Sequence, residues 1–136
     1  MDGHVERMGG WRLAPRLLVD QLAALQPPAP LVLTPRRQKR HLNSQFDYLG
    51  EQPEIILHPD DATAAGVVDS QPVTVHSTSG EITGIAKVDG TIRRGAVSIP
   101  HGHQSANVNR LTDRSQVDIV TGMVRYCGIP VSVHPA

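Results

Sequence analysis

The sequence predicts a mainly β protein of one domain, a barrel or a sandwich with one or two short helices. Two observations carry this. From Leu31 onward, short apolar or alternating runs are separated by Gly, Pro and Asp turns, the pattern of several short strands. The length, 136 residues, also sits close to the ~150 usual for a single domain, enough to bury a core without disulfides or metals.

The first thirty residues differ from the rest. Within Trp11 to Leu25, Leu18, Leu22 and Leu25 fall at i, i+4 and i+7, one stripe of a short amphipathic helix. Pro15 suits its first turn, where a missing N–H costs nothing. Gln26-Pro27-Pro28-Ala29-Pro30 then ends the helix and reads as a stiff connector. Residues 1–29 are therefore expected to be a connector with a short helix, and residues 30–136 the globular part.

Strands follow. Leu31-Val32-Leu33-Thr34 is an apolar run halted by Pro35, and Glu54-Ile55-Ile56-Leu57 is a second. His58-Pro59-Asp60-Asp61 then opens a helix of about two turns, with proline at its first position and carboxylates at its positive end. Gly66 is placed to take the left-handed position after it. Pro72-Val73-Thr74-Val75-His76 alternates, Ser77 to Gly80 turns, and Glu81 to Val88 returns as the next strand. Ala96-Val97-Ser98-Ile99 and Val131-Ser132-Val133 complete the set.

Composition removes several classes of function. The 13 Lys+Arg and 13 Asp+Glu cancel, unlike a generally basic nucleic-acid binder. Trp11, Phe46, Tyr48 and Tyr126 are too few aromatics for a base-stacking platform. The lone Cys127 excludes an intramolecular disulfide, and a buried thiol at a strand start is its expected role. No glycine pair is spaced G-x-G and there is no phosphate-loop or H-E-x-x-H motif. No apolar run nears ~18 residues, and Met1-Asp2-Gly3-His4 is no signal peptide. The cytoplasm is the expected compartment, although an export signal would lie at the N-terminus of a longer protein and is not read from this chain.

Two segments carry possible chemistry. Thr34-Pro35-Arg36-Arg37-Gln38-Lys39-Arg40-His41 packs four cations into five residues directly after a strand. Guanidinium groups fork onto phosphate oxygens, and the same run also reads as a solvated basic loop. The stretch from Pro100 to Asp113 is dense in hydrogen-bonding groups and follows another strand. His101 and His103 are two potential metal ligands, but zinc needs three or four and no third stands in register. Asn107 and Asn109 present paired donors and acceptors suited to a heterocycle edge, or they cap local turns.

Taken in order, these blocks resemble a known family. Leu31-x-Leu33-Thr34-x-Arg36 comes first, then Glu54-Ile55-x-Leu57-His58-Pro59-x-Asp61-Ala62-x-x-x-Gly66 and a valine-rich strand pair. Arg94-Gly95-Ala96-Val97-x-Ile99-Pro100-His101 and Asn107-x-Asn109-Arg110-Leu111-Thr112-Asp113 follow. The pattern is similar to the C-terminal molybdopterin-dinucleotide-binding domain of the dimethyl sulfoxide reductase family, which includes formate dehydrogenases and nitrate reductases. The resemblance covers Pro30 to Pro135.

What the resemblance implies is specific. The fold would be a double-psi β-barrel closing over a pterin guanine dinucleotide that holds molybdenum or tungsten. Thr34, Arg36 and Arg37 would belong to a first cofactor-facing loop, with His41, Asn43 and Ser44 just beyond. His101, His103, Asn107 and Asn109 would form a second, and Arg125 would supply a basic residue before the last strand. Cations would meet pyrophosphate charge, and amides and hydroxyls the pterin and sugar edges. No catalytic residue and no metal ligand is expected, because those would lie in preceding domains of a longer oxidoreductase. Those domains and the cofactor would be the partners, with no nucleic acid and no membrane insertion.

Two other functions compete. The same barrel resembles protein- or peptide-binding modules attached to ATPases, and it resembles pyruvoyl-dependent decarboxylases. The latter cut a Gly-Ser bond to make their cofactor, and this sequence has no Gly-Ser dipeptide.

Overall fold

Along a strand every second side chain shares one face, so pairs such as Val73 and Val75, or Ile82 and Ala86, turn inward together. The computed structural model, which describes residues 2–11, 13–39 and 52–136, joins six such strands in one mixed sheet. Two short helices come first, α1 (Asp2–Arg7) and α2 (Arg16–Ala23). They are followed by β1 (Val32–Arg36), β2 (Glu54–Leu57), α3 (Pro59–Ala64), β3 (Pro72–His76) and β4 (Glu81–Val88). The chain continues through β5 (Ala96–Pro100), a 3-10 turn (Val108–Leu111) and β6 (Ser132–Pro135). The protein is mainly β, as the sequence predicts.

The sheet order is β1-β5-β2-β4-β3-β6. β1 runs parallel to β5 and β2 parallel to β4, while β2–β5, β3–β4 and β3–β6 are antiparallel. β1 and β6 are the outer strands, yet the chain entering β6 reaches back to β1. Gly128 N–H donates to the Leu33 carbonyl at 2.8 Å, and Leu33 N–H to the Ile129 carbonyl at 2.8 Å. Val131 N–H donates to the Leu31 carbonyl at 3.1 Å.

β1 extends past the point where the sequence pattern ends it. Pro35 lies in register with Ile99 of β5, and at the margin of a sheet its missing N–H removes no essential ladder bond.

One apolar cluster fills the interior: Leu33 of β1, Ile55 and Leu57 of β2, Val73 and Val75 of β3, Val97 and Ile99 of β5, with Val108, Leu111 and Ile129 from the loops. Gly84 shows how closely β4 lies against the start of β2. A Cβ there would stand 2.6 Å from the Pro53 carbonyl oxygen and 2.7 Å from Ile55 Cδ1.

α3 follows its sequence signals. His58 Nδ1 accepts from Asp60 N–H at 3.1 Å, and Gly66 takes φ of +66°. The Asp61 carboxylate accepts from Gly95 N–H at 2.6 Å, which ties the helix to the entry of β5.

Two expectations are corrected. Pro15 stands just before α2 in extended geometry rather than within its first turn. Cys127 is exposed, because the strand begins at Ser132 and alternation does not reach the preceding turn. The stripe Leu18, Leu22 and Leu25 does lie on and just beyond α2, but all three side chains are exposed and none joins the core. Among the described residues no helix is long and apolar enough to cross a membrane.

Candidate functional site

Parallel pairing puts the ends of β1 and β5 side by side, with Arg36 opposite Pro100. The loops that leave these strands therefore start at the same end of the sheet, where α/β and β ligand sites commonly form. Among the described residues, contacts between the loops join them. His101 N–H donates to the Arg36 carbonyl at 3.1 Å, and His103 Nε2 lies 3.4 Å from Gln38 Oε1.

A hollow of about 610 Å³ opens between these loops. Arg37 contributes its cation from the first loop, and His101, His103, Asn107 and Asn109 line it from the second. Five of the residues singled out from sequence thus meet in one place, although more than sixty positions separate Arg37 from His101.

Local structure explains the second wall. Asn107 Oδ1 accepts from Asn109 N–H at 3.0 Å, capping the 3-10 turn, and Val108 and Leu111 anchor that turn in the core. The asparagines therefore both shape the loop and edge the hollow. His103 is only 3% exposed, held within the wall.

Other expected residues go elsewhere. The Arg36 guanidinium turns back across the sheet, with Nη1 2.6 Å from the Ser98 carbonyl and Nη2 2.8 Å from the Glu54 carbonyl. Burial lowers its pKa from the ordinary value, while Glu54 opposes that shift. Thr34, on β1, lines a separate hollow of about 360 Å³ with Arg93 and Arg94. The Arg125 guanidinium folds onto its own turn, donating to the Gly128 carbonyl at 2.6 Å and the Cys127 carbonyl at 3.3 Å. Both guanidinium groups, Arg36 and Arg125, are thus taken up by main-chain carbonyls. His41, Asn43 and Ser44 lie outside the described residues.

Tyr126 completes the hollow and was not singled out from the sequence. Burial pushes its phenol up from the ordinary value, with the neighbouring Cys127 adding to the shift, so it stays a neutral hydroxyl at physiological pH. One signal was available: Tyr126 is among only four aromatics and directly follows Arg125.

The donor set decides what the hollow can take. A cation, two imidazoles, three amides counting Gln104, and a phenol line it, and no carboxylate does among the described residues. That fits a pyrophosphate with polar ring edges on either side. A metal fits poorly, since among the described residues no three potential ligands stand together.

Comparison with known proteins bears on the same stretch. The family model described as "Molydopterin dinucleotide binding domain" matches residues 31–130. The F420-dependent formate dehydrogenase subunit alpha of Methanocaldococcus jannaschii is 34% identical over 79 residues, which are 58% of this chain and 11% of that protein. The dimethyl sulfoxide/trimethylamine N-oxide reductase of Rhodobacter capsulatus is 38% identical over 61 residues, 45% of this chain and 7% of that protein. Among solved structures, the acetylene hydratase of Pelobacter acetylenicus superposes with a TM-score of 0.72 at 20% identity, covering 96% of this chain and 22% of that one. The chain thus spans about a tenth or less of the two curated relatives, and it shares its fold with a part of the third.

Proposed function

The chain belongs to the family of molybdopterin dinucleotide-binding domains, and on that footing we propose that its hollow beside Arg37 receives the guanine dinucleotide part of the cofactor. It would do so as one domain of a longer molybdenum or tungsten oxidoreductase, whose preceding domains supply the rest of the pocket. When bound, the pterin dinucleotide carries the metal at which the longer enzyme's redox chemistry takes place. This chain's residues bind and orient it. Arg37 meets pyrophosphate charge, the Asn107 and Asn109 amides face ring or sugar edges, and His101 and His103 add polar contacts. Tyr126 offers a ring face and a hydroxyl donor.

The observation that carries this reading is the meeting of Arg37 with the 101–109 loop in one hollow free of carboxylates among the described residues. It also favours a cofactor site over a peptide-binding module, which would need an extended surface rather than a polar hollow.

The double-psi barrel belongs to this proposal. Its support is that residues 128–131 hydrogen-bond to β1 while the same segment continues into β6 on β3, linking both outer strands. So does the division into a connector over residues 1–29 and a barrel over 30–136, supported by an α2 without buried residues. We place the longer enzyme in the cytoplasm. Thr34, Arg36, His41, Asn43, Ser44 and Arg125 remain in this reading as residues around the cofactor rather than as lining of the hollow.

Titration of the isotopically labelled chain with guanosine diphosphate tests the site. The amides of Arg37, His101 and Asn109 should shift together along one binding curve. Arg37→Ala should weaken binding about threefold to tenfold, since one charge-assisted contact in an open half-site falls short of its desolvated value. Shifts confined to one loop, or none at saturating nucleotide, would overturn the proposal.

A further inference from the structure

Resting on the cofactor reading above, we propose that Arg36 is a positioning residue of the site, holding the β1 and β5 ends so that Arg37 and His101 share one wall. The sheet has a thin seam below the hollow. β1 and β5 are registered at five pairs and β2 and β4 at four, whereas β2 and β5 meet at one, Ile56 with Ser98.

Arg36 crosses that seam. Its guanidinium donates to the Ser98 carbonyl on β5 at 2.6 Å and to the Glu54 carbonyl on β2 at 2.8 Å. The Glu54 carboxylate lies 3.8 Å away. The side chain is 20% exposed, and Ser98 is buried. A planar guanidinium presents its donors at a fixed angle, so it sets the spacing of two carbonyls at once, which a single ammonium cannot do.

The same residue acts on the loop above through its backbone. The Arg36 carbonyl accepts from His101 N–H at 3.1 Å, where the second loop begins. A direct role on phosphate would require the guanidinium to leave both carbonyls, stranding two polar groups in a half-buried place. Arg36 therefore builds the wall, and Arg37 faces the ligand.

The test uses Arg36→Met and Arg36→Lys beside Arg37→Ala, all in the full 136-residue chain. Hydrogen exchange at the His101 and His103 amides and guanosine diphosphate affinity are read on the folded protein. Arg36→Met should speed exchange at both amides, and weaken binding, by about tenfold, the scale of losing hydrogen bonds to a charged donor. Amides of β3 and β6 should keep their protection. Arg36→Lys should recover part of both effects, whereas Arg37→Ala should weaken binding with exchange unchanged. Unaltered exchange in Arg36→Met would overturn the inference, and lost binding without faster exchange would make Arg36 a direct contact instead. If Arg36→Met fails to fold, Arg36→Lys decides by the same two readouts, and wild-type behaviour in both would overturn the inference. If the unmodified chain ignores the nucleotide, the cofactor reading fails, while the exchange measurements still decide whether Arg36 positions the loop.

Discussion

Arg36 and Ser98, 62 positions apart, meet across the sheet: the arginine Nη1 donates to the serine main-chain carbonyl at 2.6 Å. Ser98 is also the residue through which β5 pairs with β2, opposite Ile56. The contact therefore sits where the sheet changes from a parallel pair to an antiparallel one, directly beneath the loops that form the hollow. It divides two adjacent arginines into different tasks, one structural and one facing outward.

The second wall depends on an anchor in the core. Leu111 is fully buried at the end of the 3-10 turn that carries Asn109. Leu111→Ala should lower unfolding stability by about 2–5 kcal/mol, the transfer and cavity cost of a buried leucine. Urea denaturation checks this, and a loss well under 1 kcal/mol would mean that the turn is not anchored there.

Gly84 should tolerate no side chain. The Cβ of Gly84→Ala would meet the Pro53 carbonyl and Ile55, whose backbone and core positions cannot move cheaply. A loss of about 1–3 kcal/mol is expected, the usual cost of overpacking. Gly90→Ala is the control, because its Cβ would enter open space. Equal melting temperatures for the two variants would refute the close approach of Gly84 to Pro53 and Ile55.

Asn107 joins shape to charge, and one substitution separates them. Asn107→Asp keeps an oxygen for the Asn109 N–H and so should leave the fold as stable as before. It also places a carboxylate in the hollow. Repulsion of pyrophosphate should weaken guanosine diphosphate binding about fivefold, from roughly 1 kcal/mol for like charges near 4 Å in water. The effect should shrink in high salt. Calorimetric titration at two salt concentrations reads both, and unchanged affinity would place the phosphates elsewhere.

A pH effect is expected in the turn that precedes Tyr126. Hydrogen bonds from the Thr121 N–H at 2.6 Å and hydroxyl at 2.8 Å, with Val120 N–H at 3.0 Å, hold the Asp118 carboxyl below its ordinary 3.8. The folded value lies below the unfolded one, so this contribution is fully present above pH 3.8 and is lost as pH falls through the lower, folded value. Carbon-detected titration of Asp118 should give a midpoint under 3.8, with the Thr121 amide following the same curve. A midpoint at or above the ordinary value would show that these bonds do not form in solution.

Much of the fold was legible from residue order alone. Alternation at Val73 and Val75, the apolar runs at Ile55 and Val97, and the proline and carboxylates opening α3 are local signals, because strand pleat and helix end chemistry act within a few residues. The two loops that meet in the hollow were legible as well, through residue type and their place after strands. What sequence could not decide is where each cation goes. Arg36, Arg37 and Arg125 carry the same group, yet two of them are claimed by main-chain carbonyls and only Arg37 reaches the hollow. Tyr126 enters the site while Cys127 beside it stays exposed, a difference that residue type alone did not reveal. Residue type sets which hydrogen bonds a side chain is able to make. For Arg36, strand pairing between segments tens of residues apart brings two part-buried carbonyls within reach, and for Arg125 its own turn does so locally. A guanidinium that can satisfy two carbonyls at once stays with them.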